Sequence, residues 1–225
     1  MKNIVYLMIC IVVISMVSCM SKEAKERQQI AKARMEEQRL YQDSIECKAS
    51  KNKIVEEQQR NSLYKAEYEK EIEELKPYFT FKKDDFSSSD KQWVTPKDAP
   101  KYVNRNGIYC YFQVIDGKAS NFRLKIQYVA DDWLFIQNYI FSIDDMIFEY
   151  SPDNIESDND SSIWEWSDNQ ITRMDNNLIN ALAIANKAKI KFEGRQYYKV
   201  KDITSSQLKS IQRTIRLFKA LGGVL

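Results

Sequence analysis

Residues 122–128 read Phe122-Arg123-Leu124-Lys125-Ile126-Gln127-Tyr128, apolar and polar in strict alternation. Successive side chains of a β-strand point to opposite faces, so this stretch predicts a strand with one buried and one solvated face. Half-buried strands of this kind belong to antiparallel sheets. The flanking sequence supplies partners. Asn106-Gly107 and Asp116-Gly117 are turn signals on either side of an apolar run at 108–115, and the second opens a hairpin into the alternating stretch. Asp131-Asp132 makes the next turn.

Residues 133–143 follow, with Trp133, Phe135, Tyr139, Phe141 and Ile143 on one face and Leu134, Ile136 and Ile140 on the other. Apolar on both sides, this run predicts a central strand covered twice. Asp144-Asp145 turns into 146–150, and Tyr78-Phe79-Thr80-Phe81 reads as a further short strand. Residues 87–89 and 96–100 read as loops with Trp93 between them. The expectation is an antiparallel meander of about four strands, covered on one side by something else.

Two helices supply the cover. One is expected over 176–187, with Leu178, Ile179, Leu182 and Ala185 on one stripe. The other opens at Thr204-Ser205-Ser206-Gln207, a capping box, and carries Leu208, Ile211, Ile215, Phe218 and Leu221 until Gly222 closes it. Between them 190–193 and 196–198 read as short strands about Gly194. The fold class is α+β.

Upstream the periodicity changes. Residues 22–76 contain no proline or glycine and are dense in Glu, Lys, Arg, Gln and Ala, the good helix formers. A continuous helix of that length would reach roughly 80 Å at 1.5 Å per residue. Ile30, Ala33, Leu40 and Tyr41 begin an apolar stripe, and Leu63, Ala66, Ile72 and Leu75 end one. Ile45, Cys47, Ile54 and Val55 break the heptad between them. Two readings stay open: a stalk that forms homo-oligomers, and a solvated single helix used as a spacer. Pro77 ends the element.

At the N-terminus, Lys2 precedes an apolar run at 4–14 of signal-peptide length, and Met16-Val17-Ser18-Cys19 follows. This stretch resembles the lipobox of bacterial lipoproteins. The resemblance implies cleavage before Cys19 and lipid attachment at Cys19, which would be the link to a membrane. It divides the chain into a signal peptide at 1–18, a lipid-anchored stalk at 19–76 and a globular domain at 77–225. Met20-Ser21-Lys22-Glu23 lacks the aspartate that retains some lipoproteins at the inner membrane, so an outer-membrane destination is expected.

Composition excludes several chemistries. With 34 basic and 32 acidic residues the net charge is +2, leaving no surplus to neutralise a run of phosphates, so no nucleic-acid partner is expected. The absence of histidine removes Ser-His and Cys-His nucleophile pairs and most zinc chemistry. Five glycines form no phosphate-cradling loop, and neither a cofactor nor a metal is expected. Cys10 would leave with the signal peptide; Cys47 and Cys110 are expected to stay unbridged.

Four stretches carry a second resemblance: Leu124-Lys125-Ile126-Gln127-Tyr128, Asp132-Trp133-Leu134-Phe135-Ile136, Ile163-Trp164-Glu165-Trp166 and Gly194-Arg195-Gln196-Tyr197-Tyr198. Together they resemble a C-terminal domain of uncharacterised exported bacterial proteins and lipoproteins, over residues 78–223. This implies one coherent domain and no particular activity.

Candidate ligand-binding residues are Trp164 and Trp166, on one face of a strand, with Asp158 and Asp160 nearby. Exposed, the two indoles would stack on sugar rings; otherwise they close the core beside Trp133. The acidic loop at 153–160 lacks the glycine and the ligand spacing of a calcium loop. Carboxylate pairs for glycan hydrolysis could be sought in Asp131 with Asp132 or Glu165 with Asp168. The leading expectation is a non-enzymatic binding module of the cell envelope with a protein or glycan partner. The alternatives are a structural protein self-associating through its stalk, and a hydrolase of envelope glycans.

Overall fold

A computed structural model describes residues 2–87 and 89–225, with side chains described from residue 22 onward. The side chains of the expected signal peptide and of Cys19 therefore lie outside the described residues. Helix α1 runs from Lys2–Leu75, and the chain divides into compact units at 1–63 and 64–225. In the first unit every described side chain is exposed. Strong helix propensity sustains residues 22–63, since among the described residues of this unit no side chain is buried.

The second unit takes in the last turns of α1. Ile72 and Leu75 pack into its core, with Leu75 only 1% exposed, and Glu71 accepts a bond from the Arg216 guanidinium at 2.7 Å. Pro77 follows in a short 3₁₀ turn, where its missing N–H costs nothing.

Among the described residues ten strands then form two antiparallel sheets. The first contains β1 (Phe79–Lys83), β2 (Lys91–Pro96), β3 (Gly107–Ile115), β4 (Lys118–Ala130), β7 (Glu156–Asn159) and β8 (Ile163–Gln170), in the order β1-β2-β3-β4-β8-β7. The second contains β5 (Ile136–Ile143), β6 (Met146–Tyr150), β9 (Ala188–Gly194) and β10 (Tyr198–Ile203), in the order β10-β9-β5-β6. Helices α2 (Asn176–Ile184) and α3 (Ser205–Ala220) complete the α+β fold.

The alternating stretch behaves as its pattern dictates: Phe122, Leu124, Ile126 and Tyr128 of β4 are all buried. On that face Phe218 of α3 meets Phe112 at 5.3 Å and Phe122 at 4.9 Å between ring centroids. The capping box of α3 is formed, with the Gln207 amide donating to the Thr204 hydroxyl and the Thr204 amide to the Gln207 side chain. Gly222, at φ +77°, ends the helix in the left-handed region that favours glycine. Tyr128 touches Phe192 of β9 across the two sheets at 5.0 Å, so one core serves both.

Three expectations are corrected. The meander is two sheets rather than one, because 131–135 does not continue as strand and the chain crosses there from the first sheet to the second. The run at 133–143 is not covered twice. Residues Ile136, Tyr139, Phe141 and Ile143 are buried and alternate with exposed or half-buried neighbours. A register shift between Ile136 and Asn138 brings Ile136 into phase with the core face. Trp93, to which the sequence assigned no element, lies in β2, paired with Gln113. Helix α2 is also shorter than its apolar pattern suggests. It stops at Ile184, and the amides of Asn186 and Lys187 beyond it donate to the Asp144 carboxylate at 2.9 and 3.0 Å in place of continuing the helix.

Candidate functional site

Glu165 organises the crossing between the sheets. It stands on β8 in phase with Ile163, facing inward, and is 2% exposed. A carboxylate there must be supplied with donors. Its Oε1 accepts the amides of Leu134 and Phe135 at 2.8 and 3.0 Å, and its Oε2 accepts that of Ile136 at 2.7 Å. Three consecutive N–H groups curl around one anion, and the curl requires Phe135 to sit at φ +50°. Gly194 closes the other side. Any Cβ there would stand 2.1 Å from the Leu134 carbonyl oxygen, and the Arg195 amide donates to that oxygen at 3.3 Å.

The result is an aromatic platform. Phe135 stacks on Trp133 with centroids 5.7 Å apart and planes 16° from parallel, and it is 54% exposed. The Arg195 guanidinium lies 5.6 Å from the Phe135 ring centre. Tyr197, also exposed, follows in the same turn. Three of the four stretches that carry the C-terminal resemblance meet here, at Leu134, Glu165 and Gly194.

The outward face of the first sheet holds the tryptophans singled out from the sequence. Trp164 pairs with Val129 on one side and Asp158 on the other; Trp166 pairs with Gln127 and Glu156. Trp164 is 9% exposed and Trp166 half-buried, so this pair forms no open platform. Asp158 and Asp160 are exposed. The Asp158 carboxylate takes the amide of Asn159 at 2.8 Å, and the Asp160 amide donates to the Ser162 carbonyl in a turn.

Beside the tryptophans lies a charge network. Tyr111 donates its hydroxyl to Asp168 at 2.7 Å, Arg123 donates to the same carboxylate at 2.9 Å, and the Lys125 ammonium is 3.4 Å away. Burial, followed by the Asp168 charge, pushes the Tyr109 hydroxyl up to about 12. Burial and the bond to Asp168 raise Tyr111 in the same way.

Glu165 and Asp168 thus occupy opposite faces of β8, each engaged by donors, and do not flank a common cleft. Asp131 and Asp132 are exposed in the crossing segment. Among the described residues no group of three or more acidic or cysteine side chains could hold a metal ion. Cys47 and Cys110 are free, one exposed and one buried.

Sequence reading misses the clamp and the platform. Its signal was present: a glutamate in phase with Ile163 and Ser167 on an inward strand face demands hydrogen-bond donors. The exposure of Phe135 carries no such signal, because local alternation places it in a strand. Compared with protein-family models, with curated proteins and with solved structures, the chain finds no match.

Proposed function

We propose that this protein is a cell-envelope lipoprotein, lipidated at Cys19, whose globular unit is a non-enzymatic binding module that grips a glycan through the Trp133–Phe135–Arg195 platform. One observation carries the reading. A bulky aromatic held at positive φ costs about 1–2 kcal/mol relative to glycine, yet Phe135 leaves more than half of its surface in water. The Glu165 clamp sets that backbone angle, so it is the bulky aromatic in place of glycine at so exposed a position that points to a contact made outside the fold. Flat, stacked rings match the apolar faces of sugars, and the adjacent guanidinium supplies donors for hydroxyl groups. The charged helix would act as a spacer between the lipid and the domain.

Sedimentation of the full-length protein with insoluble peptidoglycan tests this. The wild type should co-sediment, and Phe135→Gly should remain in the supernatant while keeping its circular dichroism spectrum. Equal sedimentation of the two proteins would remove the platform from the reading; retention by a protein partner alone would replace the glycan.

A further inference from the structure

A side-chain contact away from the platform ties the edge of the second sheet to the first. Lys201 of β10 donates its ammonium to the side-chain oxygen of Asn106, the residue before β3 and 95 positions away in the chain. Among the described residues Lys201 forms no ion pair. Its Nζ stands 4.5 Å from the ring centre of Tyr128 and 5.9 Å from that of Phe192, and the two rings meet at 5.0 Å. Burial there holds the amine below the usual lysine range, which enlarges its neutral fraction. Desolvation of this kind is one way a lysine becomes a nucleophile.

The Asn106 side chain is set up as the matching electrophile. Its Oδ1 also accepts the backbone amide of Val129 in β4 at 3.0 Å. That amide is a fixed donor, aimed at the atom that takes up negative charge when the neighbouring carbon is attacked. Amine, carbonyl and oxyanion donor are therefore assembled by the fold before any reaction, and such positioning removes most of the entropic barrier. Asn106 is exposed, so a released ammonia can escape into water.

We propose that Lys201 and Asn106 join through a covalent amide, an intramolecular cross-link between the two sheets. The Lys201 ammonium first gives one proton to water. The neutral amine then attacks Asn106 Cγ, and the carbonyl electron pair moves to Oδ1 beneath the Val129 N–H. Collapse of this adduct restores the carbonyl and breaks the bond from Cγ to the side-chain nitrogen of Asn106. That nitrogen takes a proton from the attacking amine and leaves as ammonia. One C–N bond forms and one breaks, without oxidant or reductant. The link closes a loop that the unfolded chain must carry, so it favours the folded state. It uses no residue of the aromatic platform.

Peptide mass mapping of the full-length protein, purified folded and digested with trypsin in urea, tests the link. Amide formation removes the tryptic site at Lys201. The expected product is residues 106–118 joined to residues 200–209, about 17 Da lighter than the two peptides together because ammonia has left. Lys201→Arg should yield 106–118 alone at its full mass and should melt at a lower temperature. Free 106–118 together with complete cleavage after Lys201 in the wild type would overturn the link and leave an ordinary hydrogen bond. A 106–118 peptide that has lost ammonia while Lys201 is still cleaved would overturn it too, because it records ring closure of Asn106 onto the Gly107 amide. A joined peptide that survives in Lys201→Arg would place the bond on another residue.

Discussion

Glu165 Oε2 accepts the amide of Ile136 at 2.7 Å, so a side chain of the first sheet holds the residue that begins β5 of the second. With the amides of Leu134 and Phe135 on the other oxygen, the carboxylate is fully occupied. Glutamine has nearly the same shape but only one acceptor oxygen, and its amide nitrogen would face N–H donors. Glu165→Gln should therefore destabilise the globular unit by about 2–3 kcal/mol, the scale of bonds to a charged group left unmade. Urea unfolding at constant m-value would measure it; a change under half a kcal/mol would mean that the clamp is dispensable.

Gly194 stands opposite the same turn. An added Cβ would meet the Leu134 carbonyl oxygen at 2.1 Å and its carbon at 2.9 Å, both backbone atoms that cannot rotate away. Gly194→Ala should cost about 1–3 kcal/mol. It should also loosen the platform, seen as faster hydrogen exchange at the Leu134 and Ile136 amides. Gly117 makes the useful contrast. It lies at φ +81° with open space around it, so Gly117→Ala should cost only about 1 kcal/mol of backbone strain and leave those amides protected.

Phe135→Gly separates fold from contact. Glycine enters the left-handed region freely, so about 1 kcal/mol of strain is released, against the loss of a half-exposed stack on Trp133. The melting temperature should stay level or rise, while retention by the binding partner falls. A clear fall in melting temperature would make Phe135 a structural residue and the platform a by-product of packing.

These three sites explain what the sequence alone could and could not convey. Alternation at 122–128 is a local signal, and β4 obeys it residue by residue. The α3 capping box is equally local, and it too forms as read. The split into two sheets is not local. It depends on Glu165 reaching residues about thirty positions earlier, and on Gly194 fitting under Leu134 from the other end of the domain. Trp133, Phe135 and Arg195 come together only once that crossing is made. Trp164 and Trp166 illustrate the converse: their shared strand face was readable, but their burial depends on neighbours in β4 and β7.

Alkaline pH should weaken the domain through its tyrosines. Burial, followed by the charge of Asp168, pushes Tyr109 up to about 12. Burial also takes Tyr139 up to about 12, against the lowering effect of the Ser167 hydroxyl. Both start near 10 in the unfolded chain. A raised folded value means that the unfolded state loses its protons first, so the stabilisation is complete below pH 10 and is lost as pH rises through about 12. Tyrosinate absorbance should show late-titrating groups that ionise together with unfolding, and Tyr109→Phe should reduce the alkaline loss. Early titration of every tyrosine in the folded protein would contradict the burial seen here.

Thiol counting links the globular unit to the proposed anchor. Cys47 is exposed, whereas Cys110 is buried in the core and its thiol is raised by that burial, so it resists the ionisation that alkylation needs. If the Met16-Val17-Ser18-Cys19 stretch is processed as its resemblance implies, Cys10 is gone and the Cys19 sulfur is bonded to lipid. Protein extracted from the envelope should then present a single reactive thiol when folded, at Cys47, and gain only Cys110 when denatured. Two or more acyl chains, each buried methylene contributing about 0.8 kcal/mol, would hold it in the membrane fraction, and Cys19→Ala should release it. A third thiol in denaturant, or retention of Cys19→Ala, would remove the lipid from Cys19 and leave the charged helix tethered by nothing at that residue.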